Sequence, residues 1–584
     1  VHQPARISDE HHWRKDKVLK IRRVAAAAAF SIVLILCWRF AEIRPTAFFE
    51  PGVTAAVWTF VRSLFPPDLS PAFLRVVTAA ILQTVAIAVA GTTLSILIAL
   101  PLGIMATPTL WRRGILVASE PPGAGKFLLA SISRLSHALA GLLRAVPDLM
   151  WGLLFVVAVG LGPLAGTLAL AVSYGGVLGR VYADVFAEVD PRALEALRAT
   201  GASRAQVFMR AIWPQAAPSI TGYSLYSLEC CVRAAAVLGF IGAGGLGYEI
   251  NISMRLFDYG QVLTLIVSLT ALVAATEAVS RFFRRRWHAT VPAGSLAHKH
   301  FGAKGLHHRL MRSKAGGGGA ILLMVLTVVW SFYATGFFNS EHVDSGLTGR
   351  VARFINEMFP PDLSPEFLRS LPVPLLQTIG ISVIGTLIGI LIGALLSLPA
   401  TSTLILRDAE TAGKGSRFER TTRRLVYLSS RLTLNVLRSI PELIWVMVCI
   451  IAVGLGPFAG TLAIGLHTGG VLGKLYAETL EEVPARTIEA LRAGGARQLQ
   501  ILVWGIWPQA RPMLLSYTVL RWEMNLRVST ILGLVGGGGL GQAIYNNIQL
   551  GFYTRIVVLI AVIYGLVMTT NWLGDLWRAR RPSI

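Results

Sequence analysis

The sequence predicts an all-α polytopic membrane protein made of two parallel repeats of about six transmembrane helices each, about twelve in total. Three observations carry this reading. Of 584 residues, 54% are hydrophobic and 15% charged, with a mean hydropathy of +0.60, whereas soluble domains carry roughly 25% charged residues. The 54 Lys and Arg against 31 Asp and Glu give a net charge of +23. These basic residues gather between long apolar runs, at Arg14 to Arg23, Arg112 and Arg113, Arg281 to Arg286, Lys299 to Lys314, Arg417 to Arg424 and Arg578 to Arg581. That is the positive-inside distribution of a membrane protein, not the patch of a nucleic-acid binder. Finally, FPPDLSP at Phe65 recurs at Phe359, an offset of 294 that also aligns GLGP at Gly160 and Gly454, GGVLG at Gly175 and Gly469, and WPQA at Trp213 and Trp507. An unbroken register means duplicated halves of equal span count and orientation.

Taken in order, residues 1–23 form a basic arm expected on the cytoplasmic side. The first apolar segment follows it without a cleavage pattern ahead of a soluble domain, so this span is expected to stay in the protein. Runs long enough to cross about 30 Å of hydrocarbon fall near 24–41, 76–107, 138–160, 162–187, 217–241 and 259–282. The first half is 24–283 and the second 320–584, joined by a basic linker, 284–319, that suits anionic headgroups. Parallel halves joined by a short linker need an even span count, which puts both termini in the cytoplasm. Segments 42–75 and 338–370 read as interfacial helices on the opposite side. The four cysteines, Cys37, Cys230, Cys231 and Cys449, lie in apolar stretches with neither disulfide nor metal spacing and read as small buried hydrophobes.

A polar loop between the fourth and fifth spans, at 188–216 and 482–510, is nearly identical in the two halves. EALRATGA from Glu195 is followed by Ile212, Trp213 and Pro214, and EALRAGGA from Glu489 by Ile506, Trp507 and Pro508. Pro191 and Pro484 suit a helix start, and Gly201 and Gly495 end or bend it, giving helix, turn and helix. This spacing closely resembles the EAA loop of ABC-importer permeases. RSIPEL at Arg438, GLGPFAGTLAI at Gly454 and EMNLRVSTILGLVGGGGLG at Glu523 narrow the likeness to the phosphonate ABC-transporter permeases. The first half is less similar, since Cys231 stands at the position of Asn525.

The resemblance implies a type I importer architecture, with Glu195, Arg198, Gly201, Glu489, Arg492 and Gly495 coupling the spans to an ATPase. It implies two copies of a cytoplasmic ABC ATPase that hold the ATP and Mg, no cofactor on this chain, an extracytoplasmic substrate-binding protein, and location in the plasma (inner) membrane. The implied cargo is phosphonate, with phosphate or phosphite as alternatives. The competing class is an ion-coupled secondary transporter of small anions, which also uses parallel repeats but needs no ATPase-docking loops.

Ionisable residues inside apolar spans are costly and mark packing devices or pathways. Glu229 and Arg233, and Glu523 and Arg527, stand four residues apart on one helix face in the order that favours an ion pair. Two readings are open: a self-neutralised pair that fixes packing, or arginines that lend positive potential to an anion path, with Asn525 beside them. Arg144 and Arg438, just before Pro147 and Pro441, either join that path at an interrupted helix or snorkel to headgroups. Gly242, Gly244 and Gly247, like Gly536, Gly538 and Gly541, fit G-x-G-x-x-G but lack its soluble strand-turn-helix context, so they read as sites of tight turning and close helix approach. GAGK at Gly123 lacks the rest of a phosphate-binding loop. No catalytic constellation or metal site is expected, and His467, opposite Ser173 in the repeat, reads as packed or hydrogen-bonded.

Overall fold

The computed structural model describes residues 28, 31–49, 53–107, 123–287, 316–338, 346–405 and 417–579. The basic arm and most of the linker lie outside the described residues. Among those described, the ordered elements are all helical.

The first half contains α1 (Ser31–Phe40), α2 (Val53–Ser63), α3 (Pro71–Ala106), α4 (Gly123–Ala145), α5 (Asp148–Val159), α6 (Pro163–Ala187), α7 (Pro191–Ala199), α8 (Trp213–Leu238), α9 (Gly245–Arg255) and α10 (Tyr259–Trp287). Their repeat partners are α11 (Gly316–Ala334), α12 (Gly346–Met358), α13 (Pro372–Ser397), α14 (Arg417–Ser439), α15 (Glu442–Val453), α16 (Pro457–Glu481), α17 (Ala485–Ala493), α18 (Trp507–Leu532), α19 (Gly539–Gln549) and α20 (Tyr553–Ala579).

Among the described residues, seven helices are long and apolar enough to cross a membrane, or up to nine when each sharply bent pair is one span. α1 and α11 belong to shorter apolar segments, Ser31–Phe40 and Leu322–Ala334. α16 is as long as its partner α6, but carries His467, Lys474, Glu478 and Glu481 along its length. Seven to nine of the twelve positions expected from the repeat thus hold helices of spanning length and apolarity, and α1, α11 and α16 stand at the remaining three.

The run 138–160 differs from a single straight span. It is the end of α4 followed by α5, bent by 86°, and the second half repeats the break between α14 and α15 at 97°. Pro147 and Pro441 stand at these breaks, where proline removes a donor and its ring obstructs the preceding turn. Each break is bridged by an indole: Trp151 Nε1 donates to the Leu143 carbonyl at 3.1 Å and Trp445 Nε1 to that of Leu437 at 3.2 Å.

The glycine triplets also divide what the sequence reads as one helix end. Gly242 and Gly244 have φ of +96° and +84°, and a new helix, α9, begins at Gly245. A Cβ on Gly247 would collide with the Ala236 carbonyl, and one on Gly541 with that of Thr530, which is the close approach expected of these positions. The new helices are tied down by α3 and α13: Gln83 Oε1 and Thr84 Oγ1 accept the N–H groups of Gly245 and Leu246, and Gln377 and Thr378 do the same for Gly539 and Leu540.

The chain forms two compact units whose boundaries differ from those of the repeat. One comprises residues 1–57, 362–559 and 569–584, the other 58–361 and 560–568. In the first, α1 lies against α13, with Cys37, Ala41 and Ile384 buried together. A Cβ on Gly380 would stand 2.8 Å from the Cys37 carbonyl, so the small residue permits close helix contact. In the second, α11 packs on α3 and α12 on α5. The leading segment of each half is thus packed on helices of the other. The segments expected at the interface contain α2 and α12, followed by the repeated FPPDLSP turn.

Candidate functional site

The polar loops fold as helix, turn and helix in both halves. The Asp190 carboxylate accepts the Arg192 N–H at 2.9 Å ahead of Pro191, at the start of α7. At the other end Gly201 has φ +78° and donates its N–H to the Arg198 carbonyl; Gly495, at φ +79°, does the same to Arg492 after α17. Leu194 and Ile488 are buried in apolar clusters that also hold Tyr182, Phe186 and Ile212 in the first half and Tyr476, Leu480 and Ile506 in the second. One apolar face of each short helix is anchored in this way. Glu195, Arg198 and Glu489 are exposed and Arg492 is half-buried.

From the turn, the chain enters α8 and α18 through wide π-helical turns at Phe208–Ile212 and Ile501–Ile506. The WPQA motif lies at this junction. Gln215 Oε1 accepts the Asp190 N–H at 3.2 Å while its Nε2 donates to the Ala211 carbonyl. Gln509 Nε2 donates to Thr487 Oγ1 and to the Gly505 carbonyl. One side chain therefore ties the short helix to the long one in each half. The repeated WPQA was the sequence signal for this tie, although spacing alone gives it no partner.

The charges in the spans are arranged unequally. Arg233 lies 3.9 Å from Glu229 and donates to Cys230 Sγ at 3.6 Å; Arg527 lies 3.1 Å from Glu523. Both pairs form along the helix as their spacing predicts, and all four side chains keep some exposure. Asn525 is fully buried between α16 and α13, where its Oδ1 accepts from Thr468 Oγ1 at 3.1 Å and its Nδ2 donates to Thr386 Oγ1 at 2.8 Å. Arg144 and Arg438 are half-buried in the last turns of α4 and α14, where a cation complements the helix dipole.

A larger polar group, unread from sequence, occupies the second half. Glu442 opens α15, and its Oε1 lies 3.2 Å from Arg521 Nη2 and 3.1 Å from His467 Nε2. His467 Nδ1 is 3.0 Å from the Ile440 carbonyl, and Arg521 Nε donates to Thr468 Oγ1 at 3.5 Å. The corresponding residues in the first half are Asp148, Ser173, Tyr174 and Ser227. Among the described residues there is no cluster of three or more His, Cys, Asp or Glu suited to a metal.

Residues 114–289 and 414–580 each match the family described as the binding-protein-dependent transport system inner membrane component. The chain belongs to that family. It is therefore a multi-pass membrane component of a transport system and not an enzyme, with the family region present twice in one polypeptide. This family member is 28% identical to the phosphate-import permease protein PhnE of Mycolicibacterium smegmatis over 548 residues, 92% of either chain. It is 32% identical over 252 residues to the phosphite transport system permease protein PtxC of Stutzerimonas stutzeri, covering 43% of this chain and 84% of that one. Among solved structures, the inward-facing MetNI methionine ABC transporter matches at 22% identity with a TM-score of 0.33, over 38% of this chain and 100% of that one.

Proposed function

We propose that the chain is the permease of an ATP-driven importer of a small phosphorus oxyanion, phosphonate, phosphite or phosphate, with both permease halves in one polypeptide. The observation that carries this reading is the pair of short helices α7 and α17. Each is anchored by one apolar face, presents a glutamate outward and is tied by a glutamine to the following span. Such a helix suits docking to a moving cytoplasmic subunit. Two sites imply two ATPase copies, which supply the ATP and Mg, while an extracytoplasmic binding protein delivers the anion. Both termini are then cytoplasmic, and the family places the chain in the inner membrane.

Named relatives transport phosphate and phosphite, and the basic groups of the spans suit such cargo. Arg527 and Arg233, balanced by Glu523 and Glu229, lend positive potential to the path, with Arg438 and Arg144 nearer the breaks. Asn525 supports this arrangement by holding α18 against α13 and α16.

The test is uptake by vesicles containing the chain, its ATPase and its binding protein. Transport that requires ATP supports the proposal, whereas transport driven by an ion gradient without the ATPase favours a secondary carrier. Titration of the binding protein with phosphonate, phosphite and phosphate identifies the cargo.

A further inference from the structure

His467 is nearly buried, and both of its ring nitrogens face oxygen. The Ile440 carbonyl can only accept, so Nδ1 at 3.0 Å carries a proton. Nε2 lies 3.1 Å from Glu442 Oε1, and a hydrogen bond there requires a second proton, on the ring or on the carboxyl group. The pair therefore holds one proton more than a neutral imidazole and a carboxylate. Arg521, which is charged at any ordinary pH, donates to the same Oε1 at 3.2 Å. That contact favours the carboxylate and leaves the extra proton on the imidazole.

The proton sits at a mechanical junction. In an unbroken helix the Ile440 carbonyl would accept from the N–H of Ile444, but that N–H donates to Pro441 instead. The imidazole takes the carbonyl freed by the break and, through Glu442, grips the first residue of α15. It thus joins the two arms of the bent span to α16. The charged groups on the elements packed around this part of α16 are Arg438 on α14, Glu442 on α15, and Arg521, Glu523 and Arg527 on α18; α13 has no titratable residue. The first half has Ser173 at the histidine position and Ser227 at the Arg521 position.

We propose that His467 and Glu442 form a proton-binding site, confined to the second half, whose occupancy holds the break between α14 and α15 and sets the pH dependence of transport. Loss of the proton turns the Nε2 lone pair toward a carboxylate and replaces an attraction with a repulsion across the break.

Magnetic resonance of the full chain in lipid vesicles, with isotope-labelled histidine, reads this proton directly. The His467 signals are assigned by their loss in His467→Gln and His467→Ser, the latter carrying the residue of the first half. The expected ring is doubly protonated at neutral pH, loses its Nε2 proton and keeps its Nδ1 proton in alkali, and is singly protonated at neutral pH in Glu442→Gln. ATP-driven uptake by the complete transporter should fall severalfold over the pH interval in which the ring loses its proton. Either His467 variant should lack that step. A neutral ring at neutral pH with Glu442 present, or a pH profile of uptake unchanged by both variants, overturns the proposal. The resonance experiment does not depend on the importer reading, so failure of that reading is seen separately.

Discussion

Arg527 and Glu523 give opposite outcomes for the two readings of the charged pairs. If Arg527 serves the anion, Arg527→Gln lowers uptake by roughly one to two orders of magnitude, about 1.5–3 kcal/mol for a lost charge-assisted hydrogen bond, while the assembled complex remains intact. If the pair only neutralises itself, the same change strands a mostly buried carboxylate and destabilises the protein by about 3 kcal/mol. Glu523→Gln with Arg527→Gln then restores stability. Uptake and thermal stability measured on the same variants separate the cases, and a stable, fully active Arg527→Gln protein refutes both. A second residue-scale prediction concerns the FPPDLSP turn. Arg555 donates to the Asp362 carboxylate at 2.8 Å, and with the Ser364 N–H it pulls that carboxyl down to about 2. Because the folded value is lowered, this attachment is complete above the ordinary carboxylate value of about 4 and is lost as pH falls toward about 2. Arg555→Gln, which installs the residue found at Gln261, should loosen the second turn already at neutral pH. Increased proteolysis after Leu363 would be the measurement, and unchanged cleavage would contradict it. The pairs at four-residue spacing were legible because helical geometry alone brings them together. Glu442 and Arg521 are 79 residues apart in sequence, and no local pattern connects them.

At the scale of elements, the short helices were legible from proline, glycine and the EAA spacing, since these residues act through local backbone geometry. The separate α9 and α19 were not. Their glycines read equally well as the end of the preceding helix, and the contacts that start the new ones come from Gln83, Thr84, Gln377 and Thr378 far away in sequence. The prolines signalled the breaks, but not their sharpness or the indole across each. For coupling, the turn and the tie make separable predictions. A side chain at Gly201 or Gly495 meets no atom within 4 Å, so the penalty is backbone strain at positive φ, of order 1 kcal/mol at each site. Gly201→Val with Gly495→Val should abolish uptake while the membrane level of the protein stays unchanged. Gln215→Ala with Gln509→Ala removes the tie without straining the turn; ATPase docking should persist while uptake per ATP hydrolysed falls severalfold. Normal transport in the glycine double variant would contradict the coupling role of these loops.

For the whole molecule, the repeat was the most legible feature because it required only an unchanged offset. Which helices pack together was not legible, since lipid-facing and protein-facing apolar residues have similar composition. The structure packs α1 on α13 and α11 on α3, so neither half contains all the partners of its own helices. Joining the halves in one chain keeps those partners at high effective concentration. This predicts the behaviour of a chain divided in the linker. Residues 301–584 expressed alone lack α1, leaving the Gly380 and Ile384 face of α13 uncovered and Gln377 without the Glu42 carboxylate that accepts its amide at 3.3 Å. The fragment should be degraded. Co-expression with 1–300 should restore both its level and uptake, because the missing helix needs only to be in the same membrane. Co-expression with 58–300, which lacks α1, should not. Equal rescue by the two N-terminal fragments would mean that the exchanged helix contributes nothing to assembly.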